Sequence, residues 1–234
     1  MLKHFIIKLK RYRKNYQIRK IKIHSKQVYD LKNQLHQKAI TETINYMYDN
    51  NLFDLHTCYS KYELLAYWVN WVDKNDIVAE LWVYKWTTVN YIAEKFDGTV
   101  YGFDSFEWLP EDWWWKFKKW SFSLKKLPLC RDNVILKKWY FNESLPEFVK
   151  EHKNEKIGFL HIDCDLYSST LCTFTELDPL IKEWTVIVFD EYRGYPWWKE
   201  GEHKALLDYT EKYWRKFKYI AYNSNYQQVM IKFL

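Results

Sequence analysis

A chain of 234 residues that is 48% hydrophobic is long enough to bury one sizeable core, so a single domain with at most an appendage is expected. Its formal charge of +6 is unevenly spread, and its four cysteines (Cys58, Cys130, Cys164 and Cys172) make no CxxC pair and no His/Cys cluster of zinc spacing, which fits reduced thiols. No run approaches the ~20 apolar residues of a membrane span, and residues 1–10 hold too short an apolar core for a secretory leader, so a cytoplasmic protein is expected.

Residues 1–26 form a basic arm. Positions 3–26 hold ten Lys/Arg and no acid, and the first carboxylate is Asp30. Such an arm can touch phosphate or anionic lipid, or simply stay solvated. Residues 27–73 read as a helical extension: Val28, Leu31, Leu35, Ile40, Ile44 and Met47 recur at three- and four-residue steps, and Leu64, Leu65, Trp68, Val69 and Val72 continue the pattern. A turn at 73–76 follows. Over 74–234 short apolar runs alternate with helical stretches. Strands are expected at 77–83, 99–103, 133–137, 157–162 and 185–189, helices at 88–95, 168–181 and 202–212, and a hairpin-like pair at 219–222 and 228–233. Strands alternating with helices give an α/β fold with a mostly parallel sheet. Such sheets bind ligands beyond the carboxyl ends of their strands. Three expected strands end in Asp104, Asp163 and Asp190, and Glu80 lies in the first.

Three segments carry more than fold. They are Phe103-Asp104-Ser105-Phe106-Glu107-Trp108-Leu109-Pro110-Glu111-Asp112, His161-Ile162-Asp163-Cys164-Asp165-Leu166-Tyr167-Ser168-Ser169-Thr170, and Val188-Phe189-Asp190-Glu191-Tyr192. Together, in this order, they resemble the macrocin O-methyltransferase family over roughly residues 60–234. The resemblance implies a Rossmann-like class I methyltransferase: a central, mostly parallel seven-stranded sheet with helices on both faces. It further implies S-adenosylmethionine as methyl donor, Mg²⁺ as helper, and a hydroxyl of a small molecule or sugar as acceptor.

The departures from that family form a pattern. The chain has 14 Trp and only 5 Gly, where glycine usually makes up ~7% of a protein. The segment from Glu80 to Thr88 would match the cofactor loop if positions 82 and 86 were glycine. Positions 108, 184 and 197 are also tryptophan where the family has glycine, and Trp120 and Trp139 sit at turn-like places. Trp198 matches a family tryptophan, and Trp113 falls near another. Repeated replacement in one direction points to UGA codons for glycine being read as tryptophan. Deliberate design or decay of a dead enzyme are the alternatives.

The resemblance assigns roles. Glu80 positions the cofactor's polar end, and Trp82, Trp86 and Thr87 occupy the loop passing its methionine part. Asp104 accepts the ribose hydroxyls, with Ser105 and Phe106 on the adenosine side. Asp163 and Asp165, two apart on an extended segment, point the same way and repel unless a cation or proton lies between them. Oxygen donors without His or Cys suit a hard cation. Asp163, Asp190 and Glu191 are the expected Mg²⁺ ligands and Asp165 the expected general base. His161 is expected beneath the site and His203 on a solvent-facing helix. A hydroxyl among Tyr167, Ser168 and Ser169 is expected to cap the next helix. Tyr192, Arg193 and Tyr195 either line an acceptor pocket or pack a loop. Two rivals stand beside this reading: a catalytically dead methyltransferase-fold binding protein with Trp82 and Trp86 blocking the cofactor pocket, and a nucleic-acid methyltransferase. The second is disfavoured because the Asn/Asp-Pro-Pro-Tyr/Phe motif expected of it is absent. A homo-oligomer is compatible with everything above.

Overall fold

The computed structural model describes residues 30–107, 123, 124 and 126–234, together with 14, 15 and 17. The basic arm apart from 14, 15 and 17, and Trp108, Trp113 and Trp120, therefore lie outside the described residues.

One sheet organises the molecule. Its strands are His56–Cys58 (β1), Ile77–Leu81 (β2), Val100–Asp104 (β3), Val134–Lys138 (β4), Ile157–Ile162 (β5), Ile181–Phe189 (β6), Phe217–Asn223 (β7) and Val229–Phe233 (β8). They lie in the order β1-β7-β8-β6-β5-β2-β3-β4. β4, β3, β2, β5 and β6 run parallel, and β8 inserts antiparallel between β6 and β7. The expected hairpin-like pair is thus real. The sheet has eight strands rather than seven, because β1 joins the edge parallel to β7. Three residues are too few to show a strand period, and this stretch lay inside the expected helical extension.

The helices are Leu31–Asp49 (α1), Lys61–Tyr67 (α2), Thr87–Lys95 (α3), Phe141–Glu151 (α4), Tyr167–Leu177 (α5) and Glu202–Lys212 (α6). β2 and β5 are buried along their whole length, as befits strands covered on both faces. Alternate residues feed opposite cores: Ile77, Ala79 and Leu81 join one cluster, Val78 and Phe159 the other. On the second face Trp68 stacks on Phe159 at 4.2 Å. Chain order reverses between β2 and β5. This is the switch point where such sheets open a crevice.

α1 packs on a face other than the expected one. Ala39, Thr43 and Met47 are buried, whereas Leu31, Leu35, Ile40 and Ile44 are exposed. The small Ala39 and Thr43 let the helix approach, and Thr43 Oγ1 accepts the Gly194 N–H at 3.0 Å. α5 begins at Tyr167 with Leu166 as its N-cap, so the N-cap position is not one of the expected hydroxyl residues.

Among the described tryptophans two groups stand out. Trp68 and Trp198 are fully buried. Trp82, Trp86, Trp139, Trp184, Trp197 and Trp214 all have positive φ, between 55° and 118°. This is the region that glycine enters freely and residues with a Cβ rarely adopt. Five of the six indoles are 43–91% exposed, so packing does not repay the strain. Positions 82, 86, 139, 184 and 197, picked out in the sequence as glycine sites, are glycine sites in backbone geometry too. Trp214, at φ 55°, joins them without any prior sequence signal.

Candidate active site at the carboxyl ends of the parallel strands

β2 ends in the loop 82–86, which turns directly into α3. Trp82 N–H donates to Phe103 O at 2.8 Å and Trp86 N–H to Val83 O at 3.0 Å. The loop turns on left-handed residues 82, 84 and 86. Tyr84 N–H donates to Asp104 Oδ2 at 2.8 Å, and Phe106 N–H donates to Asp104 Oδ1 at 2.7 Å. Asp104 thereby ties the loops after β2 and β3 together. Burial pushes its carboxyl up to about 6, against the pull of the two N–H donors. Ser105 Oγ accepts the Glu107 N–H at 3.2 Å, Phe106 is buried, and Thr87 opens α3 on the exposed side. The indole of Trp82 stacks on Tyr84 at 5.8 Å.

Glu80 is fully buried. Its Oε1 lies 2.7 Å from His161 Nδ1, while Oε2 has no hydrogen-bond partner. The two residues are register partners on β2 and β5. His161 Nε2 lies 3.6 Å from Asp190 Oδ1. Despite burial, the two flanking carboxylates hold the imidazole up at about 9. His161 is therefore the buried link between the ends of β2 and β6, in keeping with its expected place beneath the site.

Across the crevice β5 and β6 deliver the other acids. Asp163 N–H donates to Leu81 O at 3.2 Å, and Asp190 N–H to Ile162 O at 2.9 Å. One oxygen from each of Asp163, Asp165 and Glu191 lies within 4.8 Å of the others. Asp165 Oδ1 and Glu191 Oε2 are buried and unpartnered. Burial and mutual repulsion raise the pKa of all three carboxyls well above the ordinary carboxylate range. The expected ligand trio was Asp163, Asp190 and Glu191, but the tight cluster holds Asp165 in place of Asp190. Asp190 stands beside the cluster: its Oδ1 meets Lys61 Nζ at 2.7 Å, the same ammonium that lies 3.6 Å from Asp163 Oδ2, and accepts from Gln228 Nε2 at 3.2 Å. Against the cost of burial, His161 and Lys61 hold Asp190 ionised, down to about 2.

Two participants have no signature in the sequence. Glu202, fully buried at the start of α6, accepts from Asp165 N–H through Oε1 at 3.3 Å and from Glu191 N–H through Oε2 at 3.1 Å. It braces both carboxylate loops at once. Lys61, in the expected helical extension, enters the site from α2. Only tertiary contact reveals either role. His203 is buried rather than solvent-facing. Its ring packs edge-on against Tyr46, Tyr192 and Trp198, and burial lowers its pKa to about 4. Tyr192 is buried in the core with its hydroxyl 2.6 Å from that of Tyr219. Arg193 is buried and donates to Asn223 O at 2.7 Å. These two residues pack the loop.

Residues 116–212 match the family model described as macrocin-O-methyltransferase (TylF). The match spans Asp163, Asp165, Asp190 and Glu191 but not Glu80 or Asp104. Among solved structures, "Crystal Structure of CalS11, Calicheamicin Methyltransferase" is similar with TM-score 0.59 and 16% identity over 73% of this chain and 76% of that one. "Structure of the O-methyltransferase NovP" is similar with TM-score 0.56 and 18% identity over 74% and 78%. No curated protein matches in sequence. The family that the three motifs resemble is the one whose model matches residues 116–212, and the fold is that of the Rossmann-like class I methyltransferases.

Proposed function

We propose, from the premise that this chain has the class I methyltransferase fold and matches the macrocin O-methyltransferase family over residues 116–212, that it is an S-adenosylmethionine-dependent, Mg²⁺-assisted O-methyltransferase. The acceptor is a hydroxyl of a small molecule or sugar. The observation that carries this reading is the all-oxygen cluster of Asp163, Asp165 and Glu191 at the switch-point crevice, with two buried, unpartnered oxygens. Such a cluster suits a hard dication, and leaving it unneutralised is costly.

When bound, S-adenosylmethionine supplies an electrophilic methyl group and Mg²⁺ lowers the pKa of an acceptor hydroxyl. The chain's own part is alignment and proton handling. Glu80 offers its unpartnered Oε2 to the cofactor's ammonium end. Asp104 retains lone pairs on both oxygens for the ribose hydroxyls. Asp163 and Glu191 are the metal-holding carboxylates, and Asp190 flanks them. Asp165 takes the acceptor's proton on its unpartnered Oδ1. Holding donor and acceptor in line contributes ~7–11 kcal/mol to such reactions.

The same reading assigns glycine to positions 82, 86, 139, 184, 197 and 214 in the active enzyme. An indole of about 200 Å² at 82 or 86 stands where a cofactor must pass close to backbone. The chain with both tryptophans is accordingly read as the blocked form. The test is methyl transfer from labelled S-adenosylmethionine to a panel of hydroxylated sugars by the glycine-bearing chain. Transfer that stops with a chelator and returns with Mg²⁺ is expected. Transfer undiminished in excess chelator would sink the metal role.

A further inference from the structure

Among the described residues the most buried arginine has no acid beside it. Arg193 is 7% exposed, and its Nε has no hydrogen-bond partner. Its Nη2 donates to Asn223 O at 2.7 Å, and the guanidinium lies 5.3 Å from the centre of the Tyr222 ring. Arg215 shows the ordinary arrangement. With its side chain 30% exposed, it still gives Nε and Nη2 to Asp178 Oδ1, at 3.1 and 2.7 Å. A buried cation without a counter-charge is costly, and stacking on a tyrosine returns only part of that cost. Burial accordingly pulls the Arg193 guanidinium down to about 10. Packing of the loop is served as well by an uncharged side chain, so packing gives no reason for arginine here.

The position supplies one. A continuous line of hydrogen bonds runs from Arg193 to the acid side of the crevice. Beyond the Arg193–Asn223 contact, Asn223 Nδ2 donates to Gln228 Oε1 at 2.8 Å, and Gln228 Nε2 donates to Asp190 Oδ1 at 3.2 Å. The guanidinium is thereby held at the flank of the acids, beside the end of β7. Exposed rings rim the same corner. Asn225 N–H donates to Asn223 Oδ1 at 3.0 Å, and Asn225 Nδ2 donates to Tyr59 O at 2.9 Å. This joins the end of β1 to the β7–β8 turn, which bears Tyr226. Tyr59 and Tyr226 are 66% and 63% exposed, and a phenol ring offers an apolar face with a polar tip. We propose that Arg193 receives an anionic group, a phosphate or a carboxylate, carried by the acceptor whose hydroxyl is methylated. A guanidinium fits either group, and its hydrogen bonds to them are charge-assisted. This inference rests on the proposed methyltransferase function and narrows its acceptor to a charged sugar, a sugar phosphate or a uronate.

The experiment is isothermal titration of the full chain carrying Trp→Gly at 82, 86, 139, 184, 197 and 214, with folding checked by circular dichroism. S-adenosylmethionine is titrated first, then glucose 1-phosphate, glucuronate and the uncharged methyl glucoside. One of the two charged probes should bind about tenfold or more tightly than methyl glucoside, and which one does so identifies the anion. Arg193→Met keeps the stem without the charge and should erase that preference. Because the buried charge has no acid partner, Arg193→Met should also keep or raise the thermal midpoint. Equal binding of charged and uncharged probes, binding of none, or a preference that survives Arg193→Met overturns the inference alone. A lowered midpoint makes Arg193 a structural cation and overturns it as well. No S-adenosylmethionine binding by the folded glycine-bearing chain overturns the methyltransferase reading and this inference together.

Discussion

An L-residue held in the left-handed region costs about 1–2 kcal/mol, and this backbone asks that of tryptophan six times. The total, roughly 6–12 kcal/mol, rivals the whole stability of a typical domain. Glycine removes the strain, and at five of the sites the lost indole is largely solvent-exposed. Each of Trp139→Gly, Trp184→Gly, Trp197→Gly and Trp214→Gly is therefore expected to stabilise the chain by about 1 kcal/mol or more, read as a rise in thermal midpoint. Trp68→Gly and Trp198→Gly should instead cost about 3–5 kcal/mol, the usual toll of emptying a buried aromatic site. The coding DNA supplies an independent check: UGA is expected at the six positive-φ positions and UGG at 68 and 198, and UGG at 82 and 86 would contradict the glycine assignment. At the same scale, Asp165→Asn should retain Mg²⁺ and lose about two to four decades in rate, the span of a general base. Asp163→Asn should weaken Mg²⁺ binding and recover partly at high Mg²⁺. Rescue of the 165 variant by Mg²⁺, and not of the 163 variant, would exchange the two roles.

Among the elements, β5 and α6 follow the bounds read from sequence, because a continuous apolar run and a helical period each state themselves locally. Others did not. α4 escaped notice: its stretch contains Pro146, which argues against a helix interior. β6 begins four residues earlier than expected because Lys182, Glu183 and Trp184 are exposed at its start. The acids at the strand ends were legible, since an aspartate closing an apolar run has few structural uses. Lys61 and Glu202 were not, because each reaches the site only through the packing of a helix against the sheet. The pairing of the β2 and β3 loops through Asp104 yields a pH prediction. Its carboxyl titrates near 6, and the ionised form is the one that accepts two ribose hydroxyls. Affinity of the glycine-bearing chain for S-adenosylmethionine should therefore rise with pH through about 6 and flatten above it. Asp104→Asn should bind weakly at every pH. Affinity of the glycine-bearing chain that stays flat from pH 5 to 8 would remove Asp104 from the proposed cofactor site.

The whole molecule joins two halves at one crevice. β2 and β3 with their loops form the side proposed for the cofactor, β5 and β6 the acid side, and the Glu80–His161–Asp190 line connects them beneath. The segment before β2 belongs to this body as well: β1 extends the sheet, Trp68 packs on Phe159, and Lys61 reaches the acids. No helix among the described residues is long and apolar enough to cross a membrane. The central claim is that a methyl-donor site exists at the end of β2 and that tryptophan at 82 and 86 closes it. Isothermal titration of S-adenosylmethionine into the chain as given and into Trp82→Gly/Trp86→Gly tests this most directly. Binding by the glycine-bearing chain alone is the predicted result; equal binding by both, or by neither when both are folded, would contradict it.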